Sequence, residues 1–167
     1  MKKSLLRKLI MAIGSTLAFV MTLFVRVSAE NTLVLGETKT VRDAGNSSFF
    51  KFLSDASEKE MFGLARVFMW IGFIVITLSM IYFVTLLILE LLNKEKIVNK
   101  LSLVTKVFKF VIIGGLVFVL LAGLDKEELT MGDVAKETLS ITLLGLPFVL
   151  SLIFSLVPIA SDYLIKE

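Results

Sequence analysis

Of the side chains that carry most enzyme chemistry, this sequence has eighteen Lys and Arg and fifteen Asp and Glu, but no His and no Cys. That removes disulfides, thiol and imidazole catalysis, and the usual zinc and haem ligand sets. What remains for nucleophilic catalysis is Ser with Lys or a carboxylate, and no spacing along the chain marks such a pair. The densest acidic group is Asp125, Glu127, Glu128, Asp133 and Glu137. It could offer oxygen ligands to a hard cation, yet it lacks the alternating acidic spacing of a calcium-binding loop and reads as a solvated connection. No catalytic residue, cofactor or metal is therefore expected.

The elements that would position these groups are set by hydropathy. Fifty-six per cent of the 167 residues are hydrophobic and the mean hydropathy is +0.89, too apolar for an ordinary water-soluble domain. Lys2, Lys3, Arg7 and Lys8 precede an uncharged run from Leu9 to Val25, followed by Arg26-Val27-Ser28-Ala29. This is the grammar of a signal peptide with cleavage after Ala29, or of an uncleaved anchor. Residues 30–56 turn polar and mixed in charge, an extracytoplasmic linker. At its end Phe49, Phe52, Leu53 and Ala56 sit at near-helical spacing opposite Lys51, Asp55, Glu58 and Lys59, as in a short interfacial helix.

Residues 57–167 read as a membrane domain. Val67 to Leu89, Phe110 to Leu124 and Thr138 to Ser161 are free of charge, and extension to the flanking interfaces gives spans of about 67–92, 107–124 and 138–160. Ser57-Glu58-Lys59-Glu60 and Thr130-Met131-Gly132-Asp133 have the form of capping boxes before the first and third spans. Gly145-Leu146-Pro147 predicts a kink within the third. The expected fold is thus an all-α integral membrane protein, a signal peptide or signal anchor followed by three transmembrane helices.

Charge bias orients it. The basic N-terminus and the stretch 93–109, with Lys94, Lys96, Lys100, Lys106 and Lys109 against Glu95 alone, belong in the cytoplasm. The segments 26–66 and 125–137 have no such excess and belong outside. The expectation is the cytoplasmic (inner) membrane of a prokaryote, with the C-terminus cytoplasmic and the mature N-terminus outside, or both ends inside if the leader stays.

No span carries an ionisable residue near its centre, the usual mark of a pump or carrier. Glu90 and Lys109, at the inner ends of the first two spans, are a candidate interfacial ion pair. Gly114, Gly115 and Gly123 in the second span and Ser151 and Ser155 in the third are candidate helix-packing residues, since small and hydroxyl side chains let helices approach in lipid. Lys94, Lys96, Lys100 and Lys106 form a candidate cytoplasmic docking surface, or a contact for anionic lipid, while no specific nucleic-acid contact is expected. These features favour a structural or assembly subunit that packs against lipid, copies of itself or other membrane proteins. The alternative is a pore-forming, holin-like or transporter subunit lined by Ser151 and Ser155.

The arrangement over Met1 to Leu124, with a basic leader, a cut at Val27-Ser28-Ala29 and a helical hairpin with a lysine-rich turn, resembles the pilin subunits of conjugative type IV secretion systems. The resemblance implies an assembly role in that machinery. The additional segment Thr138 to Ser161 departs from those pilins, which end after the second helix.

Overall fold

The computed structural model describes residues 3–35, 38–55, 63–123, 126–131 and 135–165. Helix α1 (Lys3–Leu23) leads into strands β1 (Arg26–Leu35) and β2 (Thr38–Ser48), then helices α2 (Phe49–Asp55) and α3 (Gly63–Leu91). Helices α4 (Glu95–Lys100) and α5 (Ser102–Ala122) follow, then strands β3 (Lys126–Met131) and β4 (Ala135–Leu144) and helix α6 (Leu146–Leu164). The chain is a helical bundle in which α1, α3 and α5 are long and apolar enough to cross a membrane. The apolar part of α6, Leu146 to Ser161, is shorter.

The bundle has one principal seam. Helix α1 packs against both α3 and α6, and α5 packs mainly on α3. The buried residues of α3 are Ala65, Met69, Gly72, Ile76, Ser79, Phe83 and Leu86. They recur at alternating steps of four and three, a period of 3.5 that keeps one face of the helix against its neighbours. Ala65, Gly72 and Ser79 stand seven residues apart in that stripe, so its narrow positions are also periodic.

The all-α expectation is corrected by a four-stranded antiparallel sheet of order β2-β1-β4-β3. Two hairpins, one between α1 and α2 and one between α5 and α6, are joined through β1 and β4, whose pairing runs from Arg26 opposite Leu144 to Leu35 opposite Ala135. The segment read as a linker therefore contains strands, and the expected third span, 138–160, begins as strand β4 and only then becomes helix. The cause is visible in Thr138-Leu139-Ser140-Ile141-Thr142-Leu143, where hydroxyl and aliphatic residues alternate with the period of two that suits a strand. A segment of this kind is as apolar on average as a spanning helix, but its pattern is not helical.

Gly145 closes the strand. Its φ of 96° lies in the left-handed region open to glycine, and Pro147 then occupies the first turn of α6. There its missing amide costs no hydrogen bond and its fixed φ suits a helix start. The expected kink at this triplet is a boundary between strand and helix. Pro158 does lie inside α6 and is buried.

The capping-box residues Ser57 to Glu60 lie outside the described residues, as do Gly132 and Asp133. Thr130 and Met131 pair with Lys136 and Ala135 in the β3–β4 hairpin, so the second box does not precede a helix start.

Two apolar cores hold the bundle. At the sheet end Val25 and Val27 join Phe49, Phe52 and Leu53 of α2, Ala65 and Met69 of α3 and Ala122 of α5. The short amphipathic helix expected from Phe49 thus begins there, ends at Asp55 within the described residues and turns its apolar face into the protein. Phe73 meets Phe50 edge-on at 5.1 Å, with Phe19 and Phe49 each at 6.0 Å, tying α1 and α2 to α3. The second core, nearer the other end, gathers Met11, Phe83, Leu86, Ile112 and Leu116.

At that other end α3 stops in a Schellman turn. Asn93 takes φ 55°, its amide bonds the Glu90 carbonyl at 3.0 Å, and the Lys94 amide reaches the Leu89 carbonyl at 3.0 Å. Asparagine tolerates the left-handed conformation this requires. The turn delivers the chain into the short basic helix α4.

Candidate functional site

The polar residues inside the bundle are arranged between helices. Thr22 on α1 and Ser151 on α6 place their hydroxyls 2.7 Å apart, and Ser151 also donates to the Ala18 carbonyl at 3.2 Å. Thr22 also lies 2.8 Å from the Ala18 carbonyl, so the two hydroxyl hydrogens are shared among three contacts across the α1–α6 seam. Ser155 donates to the Ser151 carbonyl one turn back at 2.7 Å, and Ser15 and Ser79 satisfy themselves likewise on Ala12 and Val75. All five hydroxyl residues are buried. In an apolar interior such groups need a partner, and each finds one at low cost in a helix carbonyl.

Three glycines permit the close approaches. A β-carbon on Gly14 would lie 2.6 Å from Val157 of α6. Between α3 and α5 the relation is reciprocal: a β-carbon on Gly72 would lie 2.0 Å from Val119, and one on Gly115 would lie 2.8 Å from Val75. Each helix thus offers a glycine to the other's valine. Of the sequence candidates, Gly115 stands in this contact, whereas a β-carbon on Gly114 would meet nothing within 4 Å. Gly123 lies beyond the last turn of α5 as its cap, near the Leu120 carbonyl. Gly14, Gly72 and Thr22 were missed by sequence reasoning. The 3.5-residue stripe on α3 would have revealed Gly72, and the same spacing of Met11, Ser15, Ala18 and Thr22 on α1 would have revealed Thr22.

The charged end of the bundle is built from α1, α3, α4, α5 and the end of α6. Glu90 on α3 pairs with Lys8 on α1 at 3.0 Å, with only 10% and 13% of the two side chains exposed. Ser4 donates to the same carboxylate at 2.6 Å, and Lys8 donates to Ser4 at 2.7 Å. Serine, lysine and carboxylate thus come together, but the lysine donates to the hydroxyl, and an ammonium in that role is not its base. The group works as a clamp between α1 and α3. Arg7 donates to the Ile165 carbonyl at 2.7 Å and secures the end of α6 to the same helix.

Glu90, a candidate partner of Lys109, makes an ion pair with Lys8 of the helix read as a leader. Lys109 is half-buried on α5. Lys94 caps the turn before α4, and Lys96 and Lys100 lie exposed on α4. Lys106 lies exposed on α5, at the rim of a cavity of about 310 Å³ that Lys3, Arg7 and Lys8 also line. Tyr82, out of place for an interfacial aromatic belt, stacks on Phe108 at 4.3 Å and places its hydroxyl 2.8 Å from that of Thr105. Its polar tip is satisfied at the α3–α5 contact.

Two further cavities among the described residues are small. The void among Ser15, Ser79 and Ser155 measures about 10 Å³, and one beneath the sheet about 20 Å³. The first is about the room one water needs, too little for a solute. No group of three or more His, Cys, Asp or Glu that could hold a metal occurs among the described residues.

Fold and site together define a helical-bundle membrane protein with a four-stranded sheet at one end and a basic cavity at the other. Comparison with protein-family models, with curated proteins and with solved structures gives no match.

Proposed function

We propose that this chain is a structural or assembly subunit of the cytoplasmic (inner) membrane of a prokaryote, joined to copies of itself or to other proteins of an envelope complex. The observation that carries the reading is the strand order β2-β1-β4-β3, which leaves β2 and β3 each paired on one side only. An edge strand is a ready template for another chain, and this sheet has one at each end. The helices add outward apolar faces, with Trp70, Ile74, Leu78 and Ile81 of α3 and Phe110, Val117 and Leu121 of α5 exposed. Such faces suit lipid or neighbouring helices.

In this reading both termini and α4 face the cytoplasm and the sheet lies outside. Support comes from the balance of charge: the stretch 93–109 opposite the sheet carries five lysines against Glu95 alone, whereas the lysines and arginines of 26–66 and 125–137 are offset by acidic residues. Helix α1 stays in the mature chain as an anchor. It supplies Met11, Ala12 and Ala18 to the bundle interior, and the expected cut between Ala29 and Glu30 falls within β1, a strand paired on both sides. The pore reading loses support because Ser151 and Ser155 are buried and bonded within the bundle.

The test is the native mass after gentle detergent extraction. A discrete oligomer, or a stoichiometric complex with another membrane protein, is expected. A bare monomer at every detergent concentration overturns the assembly reading.

A further inference from the structure

The sheet has one apolar face, and the helices meet it at its base. Val27 and Leu143, opposite each other on β1 and β4, pack into the core at that end of the bundle. From this pair outward, the register sets Ala29, Leu33, Leu129, Met131, Leu139 and Ile141 on the same face of β1, β3 and β4. The opposite face of those strands takes Glu30, Thr32, Glu128, Lys136, Thr138 and Ser140. An antiparallel sheet divided in this way has one side meant for cover and one for water. Among the described residues, α2 and α6 are the helices that pack chiefly on the sheet, and each starts directly after its strand at the base. The ten residues of β1 reach about 33 Å, well beyond them.

One row of the apolar face carries opposite charges at its two ends. Arg42, Asn31, Leu139 and Glu127 stand side by side across β2, β1, β4 and β3. Arg42 and Glu127 are therefore three strand spacings apart, about 14 Å, too far to pair within one chain. Glu137 stands one row further out on β4, toward the acidic edge. A two-fold axis running along the strands in front of this face reverses the strand order. It sets β2 against the partner's β3 and β1 against the partner's β4, row for row, so that each Arg42 lies opposite the partner's Glu127. Copies anchored in one bilayer share a height and an orientation, which a two-fold axis along the membrane normal preserves.

Residues 29–35 and their neighbours give a face of about 19 by 23 Å, so two copies share a flat footprint of roughly 900 Å². Side chains standing off the sheet raise the accessible area above the footprint, toward the roughly 1,200 Å² at which specific interfaces begin.

We propose that the apolar face of the sheet is a dimer interface, where two copies of this chain pack their sheets about 10 Å apart with Arg42 of each opposite the partner's Glu127. The inference rests on the assembly reading and gives it a stoichiometry. An isologous contact closes at two copies, whereas pairing of one β2 edge with the next β3 edge continues into rings or filaments.

The experiment is sedimentation equilibrium of the full chain in gentle detergent, where a dimer is expected. Arg42→Glu and Glu127→Arg each bring like charges together and weaken the dimer roughly tenfold or more. The double variant Arg42→Glu with Glu127→Arg restores it, and the separation of the two positions within one chain makes that rescue a contact between copies. Leu139→Asn, on the face but one strand in from the edge, weakens the dimer roughly a hundredfold because the symmetry counts its loss twice. Thr138→Asn, on the opposite face, leaves it unchanged.

Unaltered dimerisation in the single reversals, absence of rescue, or equal effects at positions 138 and 139 overturns the interface. Rings or filaments insensitive to Leu139→Asn assign association to the edge strands instead. A complex with another protein in which this chain stays single overturns the second copy as occupant and leaves the assembly reading standing, whereas a bare monomer refutes both.

Discussion

Thr22 and Ser151 hold their hydroxyls 2.7 Å apart, although 129 residues separate them in the chain. One belongs to a segment with the grammar of a leader and the other to the last helix, so their bond records where α1 goes in the folded protein. Truncation of both to Thr22→Val and Ser151→Ala removes the interhelical bond without leaving one hydroxyl facing an apolar group. The coupling energy from the double-mutant cycle is expected at about 0.6 kcal/mol and no more than about 1.7 kcal/mol. Reversible unfolding in mixed detergent measures it, and additive single-variant effects would show that the two hydroxyls do not interact.

Adjacent glycines on α5 should respond in opposite ways. Gly114→Ala adds a methyl group into open space and replaces a poor helix former, so stability is unchanged or rises by up to about 1 kcal/mol. Gly115→Ala forces the added carbon to 2.8 Å from Val75, and Gly72→Ala brings one still closer to Val119. Each of these should cost about 1–3 kcal/mol through overpacking. The companion changes Val75→Ala for Gly115 and Val119→Ala for Gly72 should restore part of the loss. Thermal unfolding of the five variants ranks them, and equal effects at positions 114 and 115 would contradict the α3–α5 contact.

Removing one member of the Lys8–Glu90 pair should hurt more than removing both. Glu90→Gln leaves a mostly buried ammonium beside an uncharged amide, at a cost of about 2–4 kcal/mol. The double change Lys8→Met with Glu90→Gln should recover most of this, because a shielded ion pair contributes little beyond what an apolar contact of similar volume provides. If Glu90→Gln is as stable as the unaltered protein in the same denaturation assay, the clamp is not a stabilising contact.

Much of the bundle was legible in the sequence because charge-free runs long enough to cross lipid have few other uses. The uncharged part of α3 lies within the observed Gly63–Leu91, and the lysine-rich turn lies where the first two expected spans meet. The sheet was not legible from mean hydropathy, which cannot tell Thr138 to Leu144 from the start of a helix. Period could, since threonine and serine alternate there with leucine and isoleucine. The contacts of α1 were hidden for a different reason. A basic cluster followed by an apolar run has the same signature whether it is cut away or retained, and only Ser15, Ala18 and Thr22 at seam spacing hint that this run has a partner. Glu90 shows the limit most sharply: its position at a helix end predicts an ion pair, but Lys8 becomes its partner through the packing of helices far apart in sequence.

Retention and direction of α1 can be settled together. A full-length chain has a mass of 18.6 kDa, and removal of residues 1–29 would give a visibly lighter species in an intact-mass measurement. Retention is expected, because cleavage after Ala29 would separate that residue from Glu30 within a strand that pairs Ala29 with Gly45 on one side and Ile141 on the other. It would also take away Lys8, Ser4 and Thr22 and with them the contacts of Glu90 and Ser151. The absence of native cysteine makes the orientation equally accessible. Ser48→Cys at the end of β2 and Asn99→Cys on α4 occupy exposed positions at opposite ends of the bundle. An impermeant thiol reagent applied to intact cells should label the first and spare the second, with both labelled after permeabilisation. Labelling of Asn99→Cys alone would place the basic end outside, where the positive charges that set the orientation could not have been retained by the cytoplasm.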